Sequence, residues 1–551
     1  MRNKLPFSPR NRNQVKKCCI LIILFIVLLA FSCKDQNPTG TNTDTNATAA
    51  PVKISPEIPV DVDPAVQATL KKEGDIYQLN EKFNENSWQS FVAIFYPRDK
   101  DGKPMPKFTD EGKATWLGWK ESFQVYRCDG SVPTPWGSKR TDDCLKDSSI
   151  VDDTDARLLL SSNTPTHRSK SKNIADETDQ AFAGKLFDQN GNVVVYEVLM
   201  NEAEFDYLVT NKLYNINGQI DFSKNGTIAN FPAGDYSTNK VGAIEIKFAW
   251  KILTENDHKE RYFQSKGYVV DEKTQKLVKK DLGMIGFHIS QKTPTGSQWV
   301  WSTFEQIDNL AQNVIEKDGK KTVIHPSLTD PDCEMCPVNI DVTNHGTTFA
   351  FNKSSTGDYW TVSGDTKDEY YASSNVMKTQ AKRMVAIPAR VRQINDKMQA
   401  YFKSQNSVFQ YYQLIDTQYP LDQKIPPAPN PGMTPSQTPV LPQSVVNKPG
   451  GNPNLAFLTN ISMETFFQNG NQTADNFVEA DNVPSPITVF GTESCMSCHS
   501  SAGIYNGISN GKFVTGNQLS GDFSWLLSQK AHWDKLIPVS FTSPVHATNP
   551  K

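Results

Sequence analysis

The sequence predicts an α+β fold: a large β-rich body with peripheral helices, followed by a small, mostly helical C-terminal region. Strand signals dominate the stretch from 185 to 305, with apolar–polar alternation at 243–253 and 297–305 and hairpin turns between apolar runs elsewhere. Helical apolar spacing is confined to a few segments, such as 88–95 and 388–402. Gly (31) and Pro (34), with frequent Asn and Thr, favour strands joined by turns over a helical bundle. At 551 residues the chain is long enough for a substantial core. With 57 basic against 60 acidic residues and a net charge of -3, no strong field points toward nucleic acid, and none is expected as a partner.

Residues 1–33 read as a signal peptide ending in a lipobox. A basic segment closing on Lys16-Lys17 precedes a continuous apolar run from Cys18 to Ser32, the charged and apolar regions of an export signal. Such a run spans roughly 22 Å as a helix, short of the roughly 30 Å hydrocarbon core of a bilayer, so a permanent transmembrane helix is the weaker reading. Leu29-Ala-Phe-Ser-Cys33 resembles a bacterial lipobox, with Phe31 where a small residue is usual. Cys33 is therefore the expected lipidation site. Residues 34–60 begin as a polar stretch nearly free of large apolar groups and are expected to act as a flexible tether, with a reach of roughly 25 to 30 Å.

The body is expected over residues 61–420. Trp88, Phe91, Val92 and Phe95 have the spacing of a helix that buries an aromatic stripe, with Asn86 or Ser87 as its cap. Thr115–Lys120 is expected as a helix or turn leading into a strand at Phe123–Tyr126. Cys128 and Cys144 bracket a Pro-, Gly- and Ser-rich loop, and in an exported protein a disulfide between them is the default. Lys185–Met200 reads as a hairpin around Asn190-Gly191. In Ala243–Leu253, Ile244, Ile246, Phe248, Trp250 and Ile252 share one face and Glu245, Lys247 and Lys251 the other, so one face is core and the other is wet or lines a cleft. Another hairpin turns at Asp271–Thr274. Leu282–Ser290 is apolar on both faces except at His288, where a core histidine is the commoner outcome. Ser297–Glu305 places Trp299, Trp301, Thr303 and Glu305 on one side, followed by Asp308 and Asn309. His288, Glu305 and Asp308 are the best candidates for chemistry in the body, although their spacing names no reaction.

Asp332-Cys333-Glu-Met-Cys336-Pro337 lacks a following histidine and reads first as a local disulfide. A zinc site with His325 and His345, or a redox pair, are the alternatives. Pro388–Phe402 has helical spacing, with Pro388 suited to the first turn. Residues 421–454 carry nine prolines between Pro426 and Pro453 and are expected as a linker or surface strap.

The C-terminal region, 455–551, holds the most specific signal, Cys495-Met-Ser-Cys498-His499. Two cysteines two residues apart, with histidine directly after the second, form the c-type haem attachment pattern. The spacing lets two thiols reach the two vinyl groups of one porphyrin while the next imidazole turns onto the iron. One covalent haem c is expected, bound by Cys495 and Cys498 with His499 as metal ligand. A zinc site would need two more ligands, and the nearest other cysteine is Cys336. A short helix is expected around Leu458–Gln468. A capped amphipathic helix is expected over Ser520–Trp533, with Phe523, Leu526 and Leu527 covering the porphyrin.

The second axial ligand decides what such an iron does: a thioether raises its potential, a histidine lowers it and an open position permits ligand chemistry. No methionine follows His499, so Met463 is the first choice as the second metal ligand, against a simple core role. His532, His546 and an open iron are the other options.

Trp88–Ala93, Trp299–Asn309, Met463-Glu-Thr465, Cys495–His499 and Asp522–Leu527 together resemble a group of exported bacterial proteins called cytochrome c family proteins, over roughly residues 80–535. That resemblance implies one covalent haem at the C-terminal end of a large β-rich body, and no established substrate. Gln306 stands where the group would place a histidine, which weakens any proposal of a metal ligand in that segment.

The reading favoured by these features is a lipid-anchored monohaem c-type cytochrome of the bacterial cell envelope. It would sit on the periplasmic side or the surface, with the outer membrane favoured, and transfer single electrons. Its partners would be a redox protein or a small-molecule electron donor or acceptor, and the membrane through the anchor. One alternative is a haem-dependent oxidoreductase whose body oxidises a small molecule or reduces a peroxide. Another is an envelope binding module with an ancillary haem and an aromatic cleft around Trp299 and Trp301.

Overall fold

Helices open the chain. Asp63 accepts from the amides of Ala65 and Val66 to cap α1 (Pro64–Glu73), with Pro64 in its first turn, and Gly74 ends it in the left-handed region. Asp75 then caps α2 (Ile76–Phe95), accepting from the Gln78 amide at 2.9 Å. The expected aromatic stripe is buried, but the helix begins well before Asn86, because Leu79 and Phe83 extend the apolar face back to this stronger cap. In this computed structural model the described residues are 49–141, 148–159, 185–271, 274, 276–333, 338–339, 348–352, 359–363, 378–383, 386–420, 458–465, 495–499, 502–509, 511–516 and 519–536. The expected signal, Cys33, most of the tether, Cys144, Cys336, His345, the Pro-rich segment and His546 lie outside them. The class is α+β, as expected.

The central sheet has eight strands: β1 (Lys120–Glu121), β2 (Ala156–Leu159), β3 (Val195–Met200), β4 (Ile244–Ile252), β5 (Gln264–Val270), β6 (Leu277–Thr293), β7 (Gly296–Gln306) and β8 (Tyr412–Gln418). Their order is β8-β7-β6-β4-β3-β1, antiparallel throughout. β5 pairs with the first half of β6, and β2 joins β5 in parallel. The hairpin expected at Asn190-Gly191 forms, with Phe187 bridging Val193 and Gly191 at φ 78°. The β5–β6 turn is closed by Asp271, which accepts from the Thr274 amide at 2.8 Å.

One face of the sheet carries Ile244, Ile246, Phe248, Trp250, Phe287, Ile289 and Phe304, packed against Trp88, Phe91 and Phe95 of α2. Helices α3 (Glu202–Thr210) and α4 (Ile216–Phe222) follow β3, and α5 (Ala389–Ser404) completes the apolar layer with Val391, Met398 and Phe402. Pro388 stands at the cap of α5, one place before the expected first turn. Phe123–Tyr126 is a single helical turn followed by its cap, not a strand; the Gln124 side chain accepts from the Glu121 amide and starts that turn.

The other face bears Glu245 and Lys247, the alternating polar positions expected to be wet or to line a cleft. It is not wet: Leu458, Ile461, Met463, Met496, Ile504, Phe523, Leu526 and Leu527 share its core with Met200, Tyr196, Trp299 and Trp301. Lys251 is 3% exposed, held 2.6 Å from Asp257 with Asp188 behind it. Trp299 and Trp301 are 1% and 3% exposed, so they are packed core and not the lining of an open cleft.

The C-terminal segments contribute α6 (Cys495–His499), the hairpin β9 (Tyr505–Ser509) and β10 (Lys512–Thr515), and α7 (Leu526–Lys530). The helix expected over 520–533 is thus confined to α7. Leu519, Asp522 and Phe523 have φ of 69°, 48° and 70°, which breaks the helical path ahead of it. Of the helix expected around Leu458–Gln468, Leu458–Glu464 is irregular with a turn at Ile461–Met463, Thr465 is 3₁₀, and the remainder lies outside the described residues. Residues 48–551 cluster as one compact unit. Cys128 and Cys333 are disulfide-bonded, and neither partner is among the described residues. A sulfur in a disulfide is no zinc ligand, so Cys333 does not fit the zinc reading; the local disulfide and the redox pair would both form a disulfide, and Cys336 lies outside the described residues.

Candidate haem site

The site is built on the covered face of the sheet. On β6, His288 stands directly opposite Lys247 of β4 and Thr303 of β7, while the next position on that face, Ser290, stands opposite Glu245 and Trp301. Strand alternation therefore sets His288, Lys247, Thr303, Glu245 and Trp301 side by side. α6 packs on β7 above them.

Two contacts seat the haem motif. The Gln418 side chain accepts from the Met496 amide at 2.8 Å, satisfying one of the open donors at the start of α6. Cys495 Sγ lies 3.7 Å from the Leu458 carbonyl oxygen, the reach of a weak thiol hydrogen bond. The His499 ring lies against Trp301, centroids 4.4 Å apart, with Phe523 flanking the same indole at 6.5 Å.

His499 Nδ1 is 2.7 Å from the Phe523 carbonyl oxygen. A carbonyl only accepts, so the proton sits on Nδ1 and Nε2 keeps its lone pair, the tautomer that metal-ligating histidines adopt. Burial holds the imidazole pKa down at about 4, against the Phe523 bond that raises it, so the ring is neutral at pH 7. The left-handed backbone at Asp522 and Phe523 belongs to the turn that presents this carbonyl.

Residues 458–465 form the adjoining wall. Asn460 Nδ2 donates to Thr303 Oγ1 at 2.8 Å and to the Phe304 carbonyl at 2.9 Å, and its Oδ1 accepts from the Ser462 amide. The Ile461 amide donates to Glu305 Oε1 at 2.7 Å, while Arg383 pairs with the other carboxylate oxygen. The Tyr196 hydroxyl donates to the Ser462 carbonyl at 2.8 Å. Gly286 makes the close approach possible, because a Cβ there would collide with Ser462 Oγ.

This wall brings Glu464 to His288, with Oε2 3.6 Å from Nε2, beyond hydrogen-bonding distance. His288 Nε2 is shut off from solvent and has no hydrogen-bond partner among the described residues. Burial, then the charges of Lys247 and His499, holds His288 well below the usual imidazole range. Burial raises Glu464 to about 7, countered by Lys247, and raises Glu245 to about 7, countered by the Ser524 hydroxyl 2.9 Å away and by Lys247.

Of the candidates in the body, His288 reaches this site and Glu305 anchors its wall. Asp308 lies elsewhere, in a buried pair with Arg261 whose two bonds are each 2.6 Å, joined by Gln306 and Asn313. Met463 is fully buried among Tyr196, Ala249, Ile285 and Leu328, an apolar cluster apart from the one that holds Met496, Trp301 and Phe523. The His532 carbonyl accepts from the Ile216 amide, tying that segment to α4. Lys247 and Glu464 were not singled out by sequence. For Lys247 the only signal was its place on the polar face of β4, which pairing with β6 sets beside His288; Glu464 had none.

The residues present fit a c-type haem: a neutral, oriented imidazole directly after the second cysteine, an apolar flank of Trp301 and Phe523, and an orphaned imidazole nitrogen nearby. Among the described residues no cluster of three or more His, Cys, Asp or Glu is arranged to hold a bare metal ion, and no helix is long and apolar enough to cross a membrane. No family model, curated protein or solved structure matches this chain.

Proposed function

We propose that this chain is a monohaem c-type cytochrome that passes single electrons in the bacterial envelope, exported by its N-terminal signal and held by a lipid on Cys33. The observation that carries the reading is the bond from His499 Nδ1 to the Phe523 carbonyl, which leaves Nε2 available beside a Cys-x-x-Cys-His motif. Haem bound there would supply a one-electron couple at its iron. The chain's part is to attach the group through Cys495 and Cys498, orient His499 and exclude water with Trp301, Phe523 and Leu527, all at most 4% exposed. Dry, rigid surroundings suit electron transfer, because little has to rearrange when the charge changes.

The test is expression of the full chain in a host with c-type maturation machinery, followed by denaturing electrophoresis and haem staining. Haem should stay on the full-length polypeptide, and Cys498→Ala should lose most of that stain. A wild-type band free of haem under conditions that mature a control cytochrome would overturn the proposal.

A further inference from the structure

Resting on the haem reading above, we infer that His288 is the second axial ligand, through Nε2, so that the iron lies between two imidazoles. The placement comes from the sheet. His288 and Trp301 are diagonal neighbours on β6 and β7, and Trp301 is the residue against which His499 lies. His288 on the sheet surface and His499 on the helix that packs on β7 are therefore both neighbours of Trp301.

The chemistry of His288 agrees. Its side chain is 12% exposed, and Nε2 is buried with no hydrogen-bond partner among the described residues. Buried polar atoms are nearly always satisfied, and a nitrogen left without a partner in an otherwise fully bonded neighbourhood calls for one. Around it, Thr303 bonds Asn460, Glu305 bonds Ile461 and Arg383, and Glu464 Oε2 accepts from the Asn460 amide at 2.6 Å. Glu464 is thereby committed to its own backbone, and its gap to Nε2 stays too wide for a hydrogen bond. Iron binding to the Nδ1–H tautomer would satisfy the orphaned nitrogen. Met463 lacks such a vacancy, since its thioether packs in the separate cluster of Tyr196, Ala249 and Ile285.

Two histidine ligands give a low-spin iron of lower potential than a His–Met pair. This suits an acceptor of electrons from low-potential donors and excludes direct binding of peroxide at a vacant iron.

The experiment uses the full-length, haem-loaded protein with His288→Ala, His288→Met and Met463→Ala. Wild type should show the ferric low-spin spectrum of bis-imidazole ligation and should not bind carbon monoxide readily when reduced. His288→Ala should lose the low-spin signal and bind carbon monoxide, and added imidazole should restore the wild-type spectrum. His288→Met keeps a side chain able to ligate and should raise the midpoint potential, whereas Met463→Ala should leave spectrum and potential unchanged. An unaltered spectrum in both His288 variants, or a wild-type iron that is high-spin and open, overturns the assignment while leaving covalent haem intact. Absence of stained haem in wild type would instead sink the haem reading itself.

Discussion

At the scale of single residues, burial sets the charge states. Asp188 is fully buried, its Oδ1 accepting from the amides of Asn190 and Asn192, and Lys251 is 3.8 Å from Oδ2. Burial outweighs Lys251 and holds the carboxyl at about 6. Because that value is raised, the native state binds more protons than the unfolded chain, and stability should fall as pH rises from about 4 to about 6. Asp188→Asn keeps the amide contacts and removes the titration. It should flatten that fall, by at most about 3 kcal/mol, in urea midpoints taken across the window. A variant with the wild-type slope would show that Asp188 is not the group responsible.

The motif of Cys495, Cys498 and His499, on which the haem proposal rests, stands in the residue order alone, because covalent attachment would constrain neighbours in sequence. His288 was legible only as the polar exception on an apolar strand. The segment that closes over it comes from far along the chain, as with Asn460 bonding Thr303 across a separation of 157.

Among the elements, the approach of residues 458–465 to β6 is the most exacting fit. Gly286→Ala would drive its Cβ into Ser462 Oγ and push back the segment carrying Glu464. A loss of about 1 to 3 kcal/mol is expected, as for other overpacked core positions. Ser462→Ala removes the obstructing hydroxyl, together with its 2.6 Å bond to Asn460. The double variant should therefore be less destabilised than the sum of the two singles, measured by denaturant unfolding. Strict additivity would mean that the two sites do not meet. β4 and β7 were legible from period-two alternation, β3 and the β5–β6 pair from their turn residues, and the rest of β6 from its apolar run. The turns of 458–465 and the left-handed residues before α7 were not, since their backbone is shaped by partners on the sheet. Phe523 would read as helical from its neighbours, yet it takes φ 70° in the turn whose carbonyl meets His499.

For the whole molecule, the C-terminal segments are part of the body's core. Met200, Trp299 and Trp301 share a cluster with Met496, Ile504, Phe523, Leu526 and Leu527. A chain stopped after residue 420 would expose that apolar face, and such patches drive association. It should be recovered aggregated or as a state that binds hydrophobic dye and lacks a cooperative melt. A soluble, cooperatively folding truncation would show that the body stands alone.

What the sequence determined by itself was local: the class from the periods of its strands and helices, the hairpins from their turns, and the haem motif from a five-residue spacing. What only the tertiary structure decided was the use of the sheet's second face. Alternation shows that one face is polar, but not whether water or another segment of chain lies against it. Here the remote C-terminal segments cover Glu245, Lys247 and His288, taking them out of water. In that low-dielectric setting an imidazole stays neutral and able to ligate, which leaves an ordinary-looking strand histidine free for the ligand role proposed above.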